Sequence, residues 1–175
     1  MLISPIYETA PEHASARAAA SFALLDELGV PYRRVEHEPA ETMELCAAIS
    51  DALRVRICKN LFLCNRQQTA FYLYVTPPDK PFRTADTSKA LGSSRLSFAP
   101  PECLPRMLGL ESGSLSPLGL WFDPEKHIQL VFDKAIRRDG RIAFHPCDNT
   151  ATVLFLQEVF FSQVVPTLAH PPIWI

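Results

Sequence analysis

The 175-residue chain has no surplus of positive charge: 17 Lys and Arg stand against 19 Asp and Glu, a net charge of -2. An overall basic field that would gather nucleic acid from a distance is therefore excluded. A local groove with a few Lys and Arg remains able to hold a short nucleic-acid end. No apolar run approaches the length of a membrane span. The N-terminal stretch "MLISPIYETAPEH" lacks a basic start followed by an apolar segment, so it is read as no signal peptide, and the expected location is the cytoplasm. The five cysteines, Cys46, Cys58, Cys64, Cys103 and Cys147, are odd in number and contain no Cys-x-x-Cys pair. Reduced thiols are expected, and neither a structural zinc site nor any other metal or cofactor is expected. Internal repeats and low-complexity linkers are also missing.

What is present describes a soluble globular chain: 47% of the residues are hydrophobic and 21% charged. The length suffices for one domain with a sizeable core. Sixteen prolines are spread along it and punctuate short elements. Ala14, Ala18, Phe22, Leu25 and Leu28 fall at spacings of three and four, which predicts a helix over 12–28. Thr9 and Glu12 are read as its capping box, and Gly29 as its stop. A strand is expected over 32–36, then a helix over about 42–53 capped by Thr42. "RICKNLFLCN" and "TAFYLYVT" flank the polar loop 66–68 and predict a β-hairpin. "TADTSKALG" and "PECLPRMLG" read as short helices, with the strand "RLSFA" between them. "LWFD", "HIQLVFD", "RIAFH" and "TATVLFL" read as strands, and 157–168 as a closing helix. Strands and helices mix without strict alternation, so the expected class is α/β, a single domain with a mixed β-sheet and surrounding helices.

Three places could carry chemistry. On the strand "KNLFL", Lys59 shares a face with Ile57, Leu61 and Leu63. It either snorkels to solvent at the strand end or points into a cleft to hold an anion such as phosphate. Asn60 lies on the opposite face. The loop "GLESGSLSPLG" contains Gly113, Ser114, Ser116 and Pro117; its backbone N–H groups could form an anion nest, or it could be an ordinary connection. In "AFHPCDNTATVLF", a turn accounts for Pro146 to Asn149 but does not single out His145. Asn149 and Thr150 could cap that turn or belong to a site with His145.

The order "VEHEPAETME", "KNLFL", "GLESGSLSPLGL", "FHPCDNTATV" resembles the YbaK or ProX family of aminoacyl-tRNA editing proteins and the editing domain of bacterial prolyl-tRNA synthetases. The resemblance runs from about Phe22 to about Phe160. It is nearest to the free-standing alanyl-tRNA(Pro) deacylase branch, although Leu118 stands where an aromatic residue is frequent. What it implies is the YbaK-type editing fold and hydrolysis of the ester joining a wrong amino acid, alanine first, to the 3′ end of tRNA(Pro). The family lysine matches Lys59, the family loop matches 113–117, and the family histidine matches His145, with Asn149 and Thr150 in the same motif. The mischarged tRNA is the implied partner, and prolyl-tRNA synthetase a further candidate. A cysteinyl-tRNA(Pro) deacylase and a non-catalytic module that binds aminoacyl-tRNA or a synthetase are the alternatives.

An aminoacyl ester is already activated, so the enzyme must orient it, support the oxyanion and admit a water. The sequence shows no Ser-His-Asp set. In the family the ribose hydroxyl beside the ester is thought to help activate the water. The backbone of 113–116, with Ser114 and Ser116, would support the carbonyl oxygen. Lys59 would fix the terminal phosphate, with Asn60 and Pro117 also lining the substrate site. His145 would shape the pocket, and Asn149 and Thr150 would add hydrogen bonds. A Cys147 thiolate beside His145 is the rival mechanism.

Overall fold

The first helix starts at Ser15, six residues later than Thr9. In the computed structural model, which describes residues 3–40 and 43–175, Ser15 Oγ accepts the Ala18 N–H at 3.4 Å and opens α1, Ala16–Glu27. The expected Thr9–Glu12 capping box does not form. Pro11 would fall in its first turn, and a proline biases the residue before it away from helical geometry. Phe22 and Leu25 are buried, whereas Ala14 and Leu28 are exposed at the two ends. Gly29, at φ +65°, takes the left-handed conformation that closes the helix.

β1 (Arg33–Glu36) and α2 (Met43–Leu53) follow. The expected cap at Thr42 lies outside the described residues. β2 (Lys59–Asn65) and β3 (Phe71–Thr76) form the expected hairpin, in a register that pairs Lys59 with Thr76. Then come α3 (Thr84–Ala90), β4 (Leu96–Phe98) and α4 (Cys103–Leu108). "LWFD" is not a strand: Pro117–Phe122 is a 3-10 helix. Ser116 Oγ caps it by accepting the Leu118 N–H at 3.1 Å, and Pro117 suits the first helical position because its missing N–H is not needed there. β5 (Ile128–Phe132), a 3-10 turn at Lys134–Arg138, β6 (Arg141–Phe144) and β7 (Ala151–Leu156) complete the central strands. A helical run passes through a π turn at Phe160–Val164 and ends at Thr167. The two-residue strand β8 (Ile173–Trp174) follows.

The strands make two sheets. One has five strands in the order β4-β2-β3-β5-β8, antiparallel across β4/β2/β3 and parallel across β3/β5/β8. The other is antiparallel, β1-β7-β6. Phe62, Val75 and Phe132 of the first share one core with Phe144 and Phe155 of the second and with Phe160 of the helical run. Alternation along β6 and β7 sends Ala143 and Leu154 to the other face, where Leu45, Ile49 and Leu53 of α2 cover them. Leu63, Tyr74, Leu96 and Val131 form a third cluster on the back of the large sheet, covered by Phe82 and Leu91. Full burial of each large side chain is worth about 1.5–3 kcal/mol. This packing brings the start of β2, the end of β6, one face of α2 and the loop after α4 to a common cleft.

Candidate active site

The cleft has a volume of about 720 Å³. Lys59, Asn60, Gly113 and His145 all line it, α2 supplies one wall, and Phe98, Pro100 and Pro101 form an apolar rim. Lys59 is the first residue of β2 and half-buried. Its Nζ donates to the Lys80 backbone carbonyl at 2.7 Å. Lys80 is itself held: its ammonium pairs with the buried Asp133 carboxylate, which also accepts from Tyr74 at 2.7 Å, Thr76 at 3.1 Å and the Ala135 N–H at 2.9 Å. Burial pushes the Asp133 carboxyl up, but these donors outweigh it and hold the group below the usual carboxylate range. Lys59 thus sits at a strand end, as a snorkelling lysine would, with its head tied by one neutral hydrogen bond at the edge of a cleft. Asn60 Oδ1 is buried and has no hydrogen-bond partner among the described residues. A buried amide oxygen left so is costly unless something else donates to it.

His145 follows the last residue of β6. Its Nδ1 lies 2.8 Å from the Ala151 carbonyl oxygen. A carbonyl can only accept, so Nδ1 carries the proton and, in the neutral ring, Nε2 carries the lone pair. Burial lowers the pKa of His145 below the ordinary histidine value, His37 lowers it further, and the bond to Ala151 and the Asp148 charge only partly offset them. The ring is therefore neutral at pH 7, and its Nε2 is an acceptor with no protein partner among the described residues.

The loop after α4 contributes Ser112, Gly113 and Leu115 to the cleft. Gly113 has φ +85°, and a Cβ there would meet Asn149 Nδ2 at 3.4 Å. The amides of Gly113 and Leu115 have no acceptor among the described residues, whereas the Ser114 N–H is committed to the Glu111 carbonyl at 3.1 Å. The structure does not bring Ser114, Ser116 or Pro117 to the cleft. Ser114 and Ser116 are buried, and Ser116 and Pro117 are used in starting the 3-10 helix. Asn149 stands behind Gly113, and its carbonyl accepts the Ala40 N–H at 3.0 Å. Thr150 is exposed and serves the turn: its hydroxyl donates to Asp148 at 2.6 Å, and its N–H donates there at 2.9 Å. The thiols fit poorly as nucleophiles. Burial pushes both Cys58 and Cys147 up to about 12, and Cys147 does not line the cleft. Among the described residues, no group of three His, Cys, Asp or Glu is placed to hold a metal ion. The wall from α2 and the rim at Phe98 were missed in the sequence, because tertiary packing alone joins them to the motifs.

A mixed α/β fold whose hairpin, glycine loop and histidine strand meet at one open cleft defines a class of protein. Residues 37–160 match the model of the aminoacyl-tRNA editing domain, and the chain belongs to that family. It is 36% identical over 139 residues to the prolyl-tRNA editing protein ProX of Acetoanaerobium sticklandii, covering 79% of this chain and 85% of that one. It is 31% identical over 143 residues to the prolyl-tRNA synthetase associated domain-containing protein 1 of Bos taurus, covering 79% and 82%. The fold is shared with a solved structure described as a proposed trans-editing enzyme for prolyl tRNA synthetase, at a TM-score of 0.66 and 18% identity, covering 87% of this chain and 94% of that one.

Proposed function

We propose that this protein acts in trans to hydrolyse the ester joining a wrong amino acid to the 3′ end of tRNA(Pro), with alanine its preferred target. The observation that carries the reading is the convergence, in one open cleft, of a lysine, an unsatisfied amide oxygen, unpaired backbone N–H groups and a neutral histidine. The serines that line the cleft, Ser50 and Ser112, make no hydrogen bond to His145 among the described residues, and the Cys58 thiol there stays protonated, which suits an ester reactive enough for water. Lys59 exchanges the Lys80 carbonyl for the terminal phosphate, a stronger charge-assisted partner. Asn60 Oδ1 accepts from the α-ammonium or a ribose hydroxyl. The Gly113 and Leu115 amides support the carbonyl oxygen as it gains charge. His145 Nε2 accepts from the ammonium or the water and orients it, while the neighbouring ribose hydroxyl helps to activate that water. No step needs a metal or cofactor.

The physical need for such a site is plain. A synthetase pocket built for proline rejects a smaller amino acid weakly, since a missing methylene is worth only about 1–3 kcal/mol. A second pocket too small for proline completes the sieve. The match of "FHPCDNTATV" to the alanyl-specific branch supports alanine. The names of these relatives support tRNA(Pro) as the carrier and prolyl-tRNA synthetase as a companion. The experiment is parallel deacylation of alanyl-, seryl-, cysteinyl- and prolyl-tRNA(Pro). Alanine should leave fastest, serine next, and proline should stay. Fast release of proline defeats the editing reading. Release of cysteine with alanine untouched moves the protein to the cysteinyl branch. No release at all, with tRNA still bound, leaves a binding module.

A further inference from the structure

Behind His145, away from the residues expected to touch substrate, two further polar side chains are buried in contact: His37, which follows β1, and Thr152 on β7. His37 Nδ1 lies 2.7 Å from the Glu38 carbonyl oxygen, so that nitrogen carries the proton. Its Nε2 then has a lone pair, 2.9 Å from Thr152 Oγ1, and the threonine hydroxyl must donate to it. With its proton so committed, Thr152 offers only lone pairs in the other direction, where His145 Nδ1 lies 3.4 Å away. That nitrogen already donates to Ala151, and the threonine oxygen is its second, longer acceptor. The two rings meet edge to face, 5.8 Å apart. The protons in this chain all point one way, from His145 through Thr152 and His37 to Glu38, with the His145 N–H shared between Thr152 and the nearer Ala151 carbonyl.

We propose that His37 and Thr152 are positioning residues that lock the His145 ring in the orientation and tautomer that leave Nε2 unprotonated. A ring carrying its proton on Nε2 would set a bare Nδ1 against both the Ala151 carbonyl and the Thr152 oxygen, and a flipped ring would set Cδ2–H there and lose both hydrogen bonds. Burial keeps both rings neutral, which the one-way chain requires. The relay also ties His145 to the entry of α2, because the His37 N–H donates to the Thr150 carbonyl and the Ala40 N–H to that of Asn149. The wall of the cleft and the orientation of its histidine are thereby set together.

The inference rests on His145 being the substrate-orienting group, and its test separates the two ideas. The ring nitrogens of histidine-labelled protein are read by long-range proton–nitrogen correlation without tRNA, and the His145 signals are assigned by their loss in His145→Asn. Wild type should show a single tautomer, protonated at Nδ1. Thr152→Val, nearly the same shape without the hydroxyl, keeps the Ala151 bond but loses the second acceptor, so a minor Nε2-protonated tautomer should appear beside the main one, and kcat should fall about threefold to tenfold with KM little changed. Thr152→Ser should restore both. His37→Phe, which frees the threonine proton to face His145, should shift the tautomer further, and it serves as the second variant if Thr152→Val does not fold. An unchanged tautomer in the folded variants overturns the relay. A shifted tautomer with wild-type kcat overturns its catalytic role. Wild type inactive on every mischarged tRNA defeats the functional reading, while the tautomer still decides whether the relay exists.

Discussion

At the scale of single residues, Lys59 and Cys147 make opposite cases. Lys59 is held by one neutral bond to a carbonyl, which a phosphate can outcompete. Lys59→Ala should lower kcat/KM by about tenfold to a hundredfold or more, the loss of one charge-assisted hydrogen bond. The fold should survive, because Lys59 is only half-buried at a strand end and its ammonium makes one hydrogen bond, to the carbonyl of the exposed Lys80. Circular dichroism with single-turnover deacylation checks both, and a folded variant at wild-type rate would remove Lys59 from the mechanism. Cys147 is two residues from His145 in sequence, yet its thiol is buried and stays protonated. Cys147→Ser should keep near-wild-type deacylation. A covalent aminoacyl-thioester trapped on the wild type and missing from this variant would restore the thiolate mechanism. The sequence pattern supplied the nearness of the two residues but not the burial of the thiol, which packs near the 3-10 helix at Gly119.

At the scale of elements, the loop from α4 to the 3-10 helix works through its backbone. Gly113 at φ +85° holds a left-handed conformation that strains any β-branched residue, and a Cβ there would already be in contact with Asn149 Nδ2 at 3.4 Å. Gly113→Val should cost about a hundredfold to a thousandfold in rate, the usual cost of a lost oxyanion donor. Ser114→Ala should cost little in rate. Ser116→Ala should lower stability by about 1 kcal/mol, because it removes a helix cap, and leave the rate nearly unchanged. Single-turnover rates and urea midpoints measured side by side separate these effects. A Ser116→Ala rate as low as that of Gly113→Val would mean a side-chain role. The same loop shows what was legible in the sequence. Gly113 and the Ser-Pro step could be read there, but the Ser-Pro step was a helix start, so "LWFD" bent into a 3-10 turn and took Ser116 and Pro117 away from the cleft. The hairpin, α2 and the long strands could be read because their apolar patterns are strong. Pro11 overrode the Thr9–Glu12 pattern, and a strand as short as β8 carries no pattern of its own. That the strands divide into two sheets is a matter of pairing partners, which periodicity does not specify.

At the scale of the whole molecule, the buried titratable groups define a pH window of stability. His37 and His145 are held below the ordinary value of 6.5, in both cases chiefly by burial. Below about pH 6.5 the unfolded chain takes up protons that the folded chain refuses, so stability falls with falling pH until the lowered folded values are reached. Each histidine contributes at most about 1.4 kcal/mol per pH unit in that range. Asp133 and Asp148 are held below 3.8 because their hydrogen bonds outweigh burial, so their contribution is full at neutral pH and is lost in a second, more acid step. On the alkaline side, Cys58 and Cys147 would ionise near 9.0 in the unfolded chain but not until about 12 in the folded one. Stability therefore falls again as pH rises above about 9, and Tyr32 and Tyr74, raised mainly by burial, extend that fall beyond 10.0. Urea midpoints under reducing conditions should accordingly be flat between about pH 6.5 and 9 and drop on both sides. In His37→Phe the acid-side slope just below pH 6.5 should shrink, because one refusing histidine is gone, while the alkaline limb stays as in the wild type. A wild-type midpoint that did not change from pH 8 to 5 would show that His37 and His145 accept protons freely in the folded state, and would remove the neutral histidine from the site along with the relay behind it.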